Sequence, residues 1–333
     1  TNIIMNLRER IEFVIKIVEE FGKLDDELLQ LAHKNNSWFD KKSVLFSLNH
    51  WRNILNYGSL NEWLNNYDQS KFFKHKKILV LNAGNIPLAG FHDFLCVFLT
   101  GNSPIIKMSS NDSVLFPKII SKCISSLSNK VPVKLLNSIE DVLCDKLIMS
   151  GNNISTQIVE YKFKNTSKLI RRNKNSIAII NGEETDDEID NLGDDIFTYY
   201  GMGCRNVSKL YVKKGFSLNR ILKIFTKKFS YVSKNPTYMN NYNYYKAIYQ
   251  LDGLKFYDGM FFILKEDESI GSPISVINYE FYDNLEEIYS KIEQRSDEIQ
   301  CIVSRNHIVF GNSQKPKISD YPDGIDTISF ITD

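Results

Sequence analysis

The chain has 333 residues, of which 43% are hydrophobic and 24% charged, and its formal net charge is +1. This length allows a core large enough for about two domains, and the near-neutral charge gives no electrostatic case for binding nucleic acid or a charged membrane surface. The five cysteines lie far apart in the sequence. They therefore predict neither a disulfide framework nor a zinc site, and they favour a metal-free protein in a reducing cytoplasm.

The N-terminal part of the chain predicts helices. It becomes charged within its first ten residues, so we expect no secretory signal, and no run approaches the about 18 apolar residues that span a bilayer. Apolar residues at helical spacing predict two short amphipathic helices within residues 5–33, and further helices at 44–55 and 60–64.

A β-α-β pattern begins at residue 77. Residues 77–82 form a continuous apolar run, typical of a buried parallel strand. A turn, an apolar helix that ends at Gly101-Asn102, and a second strand follow at 83–87, 88–100 and 104–108. The alternation continues with a helix at 117–127, strands at 133–136 and 146–149, and a helix from about 153. This half is predicted to be α/β with a parallel sheet.

The second half mixes strands and helices. A strand at 176–180 closes the first half, and the acidic stretch 183–195 reads as the start of a solvated helix rather than a metal site. Strands are predicted at 210–213, 261–265, 274–278 and 302–304, helices at 218–229 and 285–295, and a loop leading into a helix at 238–249. We expect a cofactor-binding domain over 1–179, which 306–333 could join, and a catalytic domain over 180–305.

Cys204 is the most informative residue. Residues 199–208 read YYGMGCRNVS, so glycines ahead of the cysteine allow a tight turn and Arg205 follows it. A thiol on a turn beside a cation is where a nucleophilic thiolate can be stabilised. Taken alone, a cysteine next to glycines is more often a small packed residue, so the candidate depends on what lies upstream.

Upstream, polar residues follow successive predicted strands. Asn85 comes just after the first strand, at the carboxyl edge of the sheet, where α/β folds place their sites. Lys107 ends the next strand, with Ser109 and Ser110 directly after it. Ser150-Gly151 precede a helix whose N-terminal amides could meet a phosphate. The chain has no P-loop, no G-x-S-x-G elbow and no complete dinucleotide glycine fingerprint.

This ordered series resembles the aldehyde dehydrogenase superfamily and, within it, the LuxC-type acyl-CoA reductases. The likeness runs from about residue 30 to the end, and it is carried by the phrases at 84–93, 172–178, 203–209, 272–276 and 320–327. It implies an aldehyde dehydrogenase-like α/β fold with a parallel-sheet cofactor domain and an α/β catalytic domain.

The resemblance also implies roles for single residues. Cys204 would attack the acyl carbonyl of a thioester, and the Asn85 side chain and the Cys204 backbone N–H would donate to the oxyanion. Lys107 would hold the adenosine ribose. Ser110 stands where NAD-preferring relatives usually carry an acid, so Ser109, Ser110 and Lys107 would accept a 2′-phosphate, which favours NADPH.

Two further cofactor contacts are implied. Ser150 and Gly151 match the turn on the phosphate side. Glu268, with its spacing off by one, matches the glutamate that binds the nicotinamide ribose.

One departure from the family pattern bears on the reaction. Hydrolytic aldehyde dehydrogenases carry a glutamate base, but the matching stretch 169–175 has none, and no acid occurs between Tyr161 and Gly182. Without that base, water should be a poor acceptor of the acyl group. The basic run 162–174 is either a contact for CoA phosphates or an acyl carrier protein, or a solvated face.

Two features near Asn85 have alternative interpretations. The small Ala89 and Gly90 either leave room for an acyl chain or serve close packing. His92 either delivers a proton or bonds a carbonyl.

The expected function is NADPH-dependent reduction of an acyl thioester, from acyl-CoA or an acyl carrier protein, to an aldehyde. The alternatives are an aldehyde-oxidising dehydrogenase of the same superfamily and a non-catalytic acyl-binding partner protein. The oligomeric state stays open, a homodimer being one option.

Overall fold

The computed structural model describes residues 5–125, 132–151 and 153–333. The chain divides into two compact units. The first consists of Thr1–Asn173 together with Lys317–Asp333, and the second of Lys174–Pro316.

The first unit begins with four helices, each started by a polar side chain. They are α1 (Leu7–Phe21), α2 (Asp26–Asn35), α3 (Lys41–Ile54) and α4 (Tyr57–Leu64). The residue before each one, Asn or Asp, accepts a hydrogen bond from a backbone N–H of the first turn. These caps satisfy donors that a helix start leaves unpaired. The predicted helical character of this region is confirmed.

A parallel sheet follows in the first unit. Its strands are β1 (Lys77–Leu81), β2 (Ser103–Lys107), β3 (Lys134–Leu136), β4 (Lys146–Ser150) and β5 (Ser167–Arg171), in the order β3-β2-β1-β4-β5. Every pairing between them is parallel. The connecting helices are α5 (Phe91–Leu99), α6 (Leu115–Ser125) and α7 (Asn153–Lys162). The parallel sheet is confirmed, although β5 was not predicted, and residues 126–127 of the expected helix lie outside the described ranges.

The second unit contains a six-stranded mixed sheet. Its elements are β6 (Asn175–Ile180), α8 (Asp186–Phe197), β7 (Val207–Lys213), α9 (Leu218–Lys228), α10 (Pro236–Leu251), β8 (Phe256–Asp258), β9 (Ile263–Glu266), β10 (Val276–Tyr282), α11 (Leu285–Gln294) and β11 (Ile299–Val303). The strand order is β11-β6-β7-β10-β9-β8, and only β8 among these strands pairs antiparallel. The acidic stretch does start a helix, α8, through a capping box at Thr185.

The structure corrects three of the expected assignments. Strand β6 pairs with β7 and β11 and so belongs to the second unit, which places the division at residue 173 rather than 179. Of the segment 306–333, only Lys317–Asp333 lies in the first unit. Residues 238–249, expected to be a loop leading into a helix, lie wholly within α10, whose start is capped by Asn235.

The C-terminal segment, with α12 (Thr327–Thr332), is bound to the first unit through buried polar groups. Arg171 at the end of β5 is 2% exposed. It donates to Asp93 of α5 at 2.7 Å and to Thr327 at 2.6 Å. Trp63 donates its ring N–H to the Tyr321 hydroxyl at 3.0 Å. Charge and hydrogen bonding thus join α5, β5 and the tail. Within the described ranges, no helix has the length and apolar character to cross a membrane.

Candidate active site

The turn that carries Cys204 has an unusual backbone. Directly after α8, Tyr199 and Tyr200 have φ values of 55° and 58°, and Gly201 has φ 78°. A left-handed conformation costs a non-glycine residue about 1–2 kcal/mol. Both tyrosines are buried, and the Tyr200 ring lies 5.9 Å from the ring of Tyr238 on α10. Packing of the two rings therefore holds the chain in a sharp reversal just before the cysteine.

Asn206 fixes the other side of this turn. Its side-chain oxygen accepts a hydrogen bond from the Gly203 N–H at 2.8 Å. Its NH₂ group donates to the carbonyls of Asp195, Ile196 and Thr198, at 3.1, 3.1 and 2.8 Å. Carbonyls at the end of a helix have no partner within that helix, so Asn206 caps α8 and ties it to the cysteine turn. Sequence reasoning missed this role because the three bonds to α8 and its end join residues eight or more positions apart.

Cys204 is exposed at the tip of this turn. Its backbone carbonyl accepts a hydrogen bond from the Ser176 hydroxyl at 2.9 Å. The Cys301 sulfur lies 2.9 Å from the same hydroxyl, so its S–H donates to Ser176. The thiol is therefore accessible while the backbone beneath it is fixed to β6.

The other cysteines differ from Cys204 in exposure. All five lie in the described ranges and form no disulfide. Cys204 is exposed, and the other four are buried or half-buried. Burial raises the pKa of the Cys123 thiol to about 11, and it raises the pKa values of Cys96 and Cys144 as well. A thiol with a raised pKa is a poor source of thiolate. The structure thus favours Cys204 over these three cysteines as the nucleophile.

Six of the predicted site residues lie in the first unit, at the carboxyl ends of three neighbouring strands. Asn85 follows β1. Lys107 ends β2, and Ser109 and Ser110 come after it. Ser150 ends β4 and Gly151 follows. Because β1 lies between β2 and β4, these residues share one edge of the sheet. The expected grouping at the carboxyl edge is what the structure shows.

The loops at this edge are closely packed. A Cβ on Gly84, next to Asn85, would come within 2.3 Å of the Ser109 Oγ. Only glycine allows the turn after β1 to lie this close to the loop after β2.

The acid nearest to Lys107 in sequence is buried and bonded to the backbone. Asp112 is the only carboxylate between residues 107 and 140. It is 4% exposed and accepts hydrogen bonds from the N–H groups of Leu115 and Phe116, at 3.1 and 3.3 Å. Burial raises its pKa to about 6. Asp112 therefore caps the start of α6, and Lys107, half-buried, and Ser110, exposed, make up the polar surface of the loop.

The other two predicted site residues, Cys204 and Glu268, lie in the second unit. Glu268 is exposed, in the segment 267–271 between β9 and β10.

A family model for acyl-CoA reductase (LuxC) matches residues 6–223. The chain belongs to the acyl-CoA reductase (LuxC) family. The match covers the parallel sheet, the Cys204 turn and strand β7. No curated protein matches this LuxC-family chain at the level of sequence.

Solved structures of aldehyde dehydrogenases share its fold. Aldehyde dehydrogenase 21 from Physcomitrella patens, in complex with the reaction product succinate, is 14% identical, with a TM-score of 0.69 over 98% of this chain and 84% of that one. A mutant indole-3-acetaldehyde dehydrogenase from P. syringae, in complex with NAD⁺ and IAA, is 13% identical. The TM-score is 0.66, and the match covers 86% of this chain and 69% of that one. Lactaldehyde dehydrogenase from Escherichia coli is 14% identical. The TM-score is 0.64, and the match covers 86% of this chain and 71% of that one. The LuxC-family chain therefore has an aldehyde dehydrogenase-like fold.

Three sequence features of the LuxC-family chain have structural explanations. A Cβ on Gly90 would come within 2.0 Å of the Asn82 side chain, so this glycine serves close packing. His92 is bonded through Nε2 to the Ile318 carbonyl at 2.7 Å, which agrees with the interpretation that it bonds a carbonyl. The basic run is not one solvated face, because Arg171 is buried against Asp93.

Proposed function

We propose that this chain reduces an acyl thioester, either acyl-CoA or an acyl carrier protein adduct, to the aldehyde through an acyl-enzyme on Cys204, with NADPH as the reductant. The observation that carries the proposal is the exposed Cys204 thiol on a turn fixed by Asn206, in a chain of the acyl-CoA reductase family. The five cysteines, none in a disulfide, support a cytoplasmic location.

Acyl transfer comes first in this mechanism. The Cys204 thiolate attacks the thioester carbonyl, the carbon–sulfur bond to the donor breaks, and the donor leaves as a thiol after taking up a proton. Because one thioester replaces another, the step is close to balanced, and thiolate is a strong nucleophile for it. We propose the Cys204 backbone N–H and the Asn85 amide as oxyanion donors. Loss of one such donor typically lowers the rate about 10²–10³-fold.

The carboxyl edge of the first sheet fits a dinucleotide with a 2′-phosphate. The loop after β2 offers Lys107, Ser109 and Ser110, and its only carboxylate, on Asp112, is buried as a helix cap. From this loop a 2′-phosphate would meet a cation and hydroxyls, and the loop itself presents no exposed acid. Bound NADPH would supply the hydride that converts the acyl thioester to the aldehyde and frees the Cys204 thiolate.

Resistance of the acyl-enzyme to water completes the proposal. The stretch that matches the family's glutamate base, 169–175, contains the end of β5 and the link to β6, and it has no acid. Arg171 within it is bonded to Asp93 and Thr327. With no carboxylate to activate water, hydrolysis should be slow. The acyl group can then remain on Cys204 until it is reduced.

The test measures both directions of the reaction. Wild type with NADPH and either a long-chain acyl-CoA or the acyl carrier protein adduct should release thiol and trapped aldehyde in equal amounts. Cys204→Ser should release neither.

The reverse reaction separates the rivals. Wild type with NADP⁺ and aldehyde should form acyl-CoA only when CoA is added. Formation of free acid without CoA would show an aldehyde-oxidising enzyme instead, and tight acyl-CoA binding with no thiol release would show a non-catalytic acyl-binding protein.

A further inference from the structure

The segment 267–271, which carries Glu268, is held by side chains from outside itself. It is the first part of the link 267–275 between β9 and β10 in the second unit. Each of its five backbone carbonyls accepts a hydrogen bond from a side chain elsewhere in that unit. The donors are Lys209 to the Asp267 carbonyl, Arg295 to that of Glu268 at 2.7 Å, Asn278 to those of Ser269 and Gly271 at 3.0 and 3.1 Å, and Ser208 to that of Ile270 at 2.8 Å.

Among these donors, Lys209 is the one whose burial costs the most free energy. Its side chain is 0% exposed and forms an ion pair with Glu280 at 2.7 Å. Glu280 is shared with Lys291 at 2.9 Å. Desolvation lowers the pKa of Lys209, while Glu280 opposes that effect. Burying a cation is expensive even when it is paired, so a lysine placed here to bind a loop carbonyl indicates that the loop must be fixed.

Two of the four donor residues, Ser208 and Lys209, lie on β7, the strand that follows the cysteine turn. Ser208 and Lys209 are adjacent on β7, and both donate to backbone carbonyls of the segment 267–271. Asn206, two residues before Ser208, fixes the Cys204 turn. Residues 206–209, at and just before the start of β7, thus bond both the turn with the Cys204 thiol and the segment with Glu268.

We propose that Ser208, Lys209 and Asn278 are positioning residues, which hold Glu268 in the orientation that binds the nicotinamide ribose. The proposal rests on the proposed NADPH chemistry. Glu268 is exposed and its backbone carbonyl is bonded to Arg295. A fixed backbone loses little further entropy when the carboxylate binds a ligand.

A double-mutant cycle on NADPH binding tests this role. The dissociation constant is measured by fluorescence for the wild type, Lys209→Met, Glu268→Ala and the double variant, without acyl donor. We expect each single variant to weaken binding about tenfold or more, and Lys209→Met to change it less than about twofold once Glu268 is Ala, because coupled residues are non-additive. If Lys209→Met folds poorly, Ser208→Ala takes its place in the cycle. This variant removes the bond to the Ile270 carbonyl, and it should show the same pattern with a smaller effect.

Lys213→Met is the matched control. Lys213 lies on the same strand and the same face as Lys209. Its amine also donates to a backbone carbonyl, that of Asp283, and lies over the Tyr282 ring. Asp283 follows β10, so this bond does not touch the segment 267–271. Lys213→Met should leave NADPH binding unchanged.

Three results would overturn the proposal. They are wild-type affinity in Lys209→Met, equal weakening by Lys209→Met with and without Glu268, and no NADPH binding by the wild type, which would also remove the proposed function. Acylation of Cys204 by acyl-CoA without nucleotide separates the two proposals. If the wild type is not acylated but the binding cycle is non-additive, acyl transfer fails and the positioning role stands.

Discussion

Replacement of Asn206 by Ala should destabilise the second unit and disorder the Cys204 turn. The side chain is 3% exposed and makes four hydrogen bonds, three to the end of α8 and one to Gly203. A hydrogen bond contributes about 1 kcal/mol net, and a buried carbonyl left without a partner costs more. We therefore expect the free energy of unfolding to fall by about 4 kcal/mol, a large part of the 5–15 kcal/mol typical of a folded domain.

The assay is urea unfolding followed by far-UV circular dichroism, together with the rate of Cys204 acylation. Asn206→Asp should be worse than Asn206→Ala, because it sets a carboxylate against three carbonyls. Asn241→Ala is the matched control. Its amide donates to one carbonyl within α10, at 2.8 Å, and it should cost about 1 kcal/mol or less. Acylation should fall about 10²-fold in Asn206→Ala, as expected when a reacting group is displaced by about 1 Å. A loss below about 1 kcal/mol with normal acylation would refute this reasoning.

Three more predictions follow from buried charges and the β2 loop. Arg171→Met should lower the free energy of unfolding by about 3–5 kcal/mol, because Asp93 is left buried without its cation. Adding Asp93→Leu should restore at least half of that loss, and a double variant no more stable than the single one would contradict the account. Burial raises the pKa of Asp195 from 3.8 to about 6, equivalent to about 3 kcal/mol, so its contribution to stability is full below pH 4 and declines as the pH rises through 6. Asp195→Asn should therefore lose more stability relative to wild type at pH 4.5 than at pH 7.5 in urea titrations, and an equal loss at both pH values would show that Asp195 does not titrate in this way. Ser110→Asp should shift the ratio of kcat/KM from NADPH toward NADH by about tenfold or more, because an acid suits a 2′-hydroxyl and repels a phosphate; an unchanged ratio would mean that this loop does not bind the adenosine ribose.

The first sheet could be predicted from the sequence because its signals are local. A continuous apolar run marks β1, and Gly101, with φ 81°, ends the helix region that follows. Strand β5 was missed because Ser167–Arg171 lies in a basic run that reads as a charged surface. Only the partners Asp93 and Thr327, distant in sequence, show that Arg171 is internal.

The start of helix α10 was placed wrongly for a different reason, since 238–249 was expected to be a loop leading into a helix. Tyrosines and asparagines dominate Pro236–Leu251, and neither favours a helix strongly. The helix is instead fixed by its cap at Asn235 and by burial of Tyr238, Tyr242 and Tyr249. These tyrosines stand at helical spacing, but the other tyrosines and asparagines between them obscure that spacing in the sequence.

The candidate site also contains some residues that the sequence indicates and others whose roles only the structure shows. Cys204 and Asn85 were predicted as site residues from turn chemistry and family phrases. The roles of Asn206, Ser208 and Lys209, which stand in the same phrase as Cys204, could not be read from it. Apart from Gly203, their hydrogen-bond partners lie from eight to more than sixty positions away, as for the Ser208 bond to the Ile270 carbonyl. Sequence shows which polar residues accompany the cysteine, and packing shows what they hold.

Intact-mass analysis of the protein after mixing with acyl-CoA, without nucleotide, tests the central claim most directly. The wild type should gain the mass of one acyl group, located on the peptide with Cys204, and lose it with release of aldehyde when NADPH is added. Cys204→Ser should gain no mass. Aldehyde formation by Cys204→Ser, or an acyl group carried by another cysteine such as Cys301, would contradict the account.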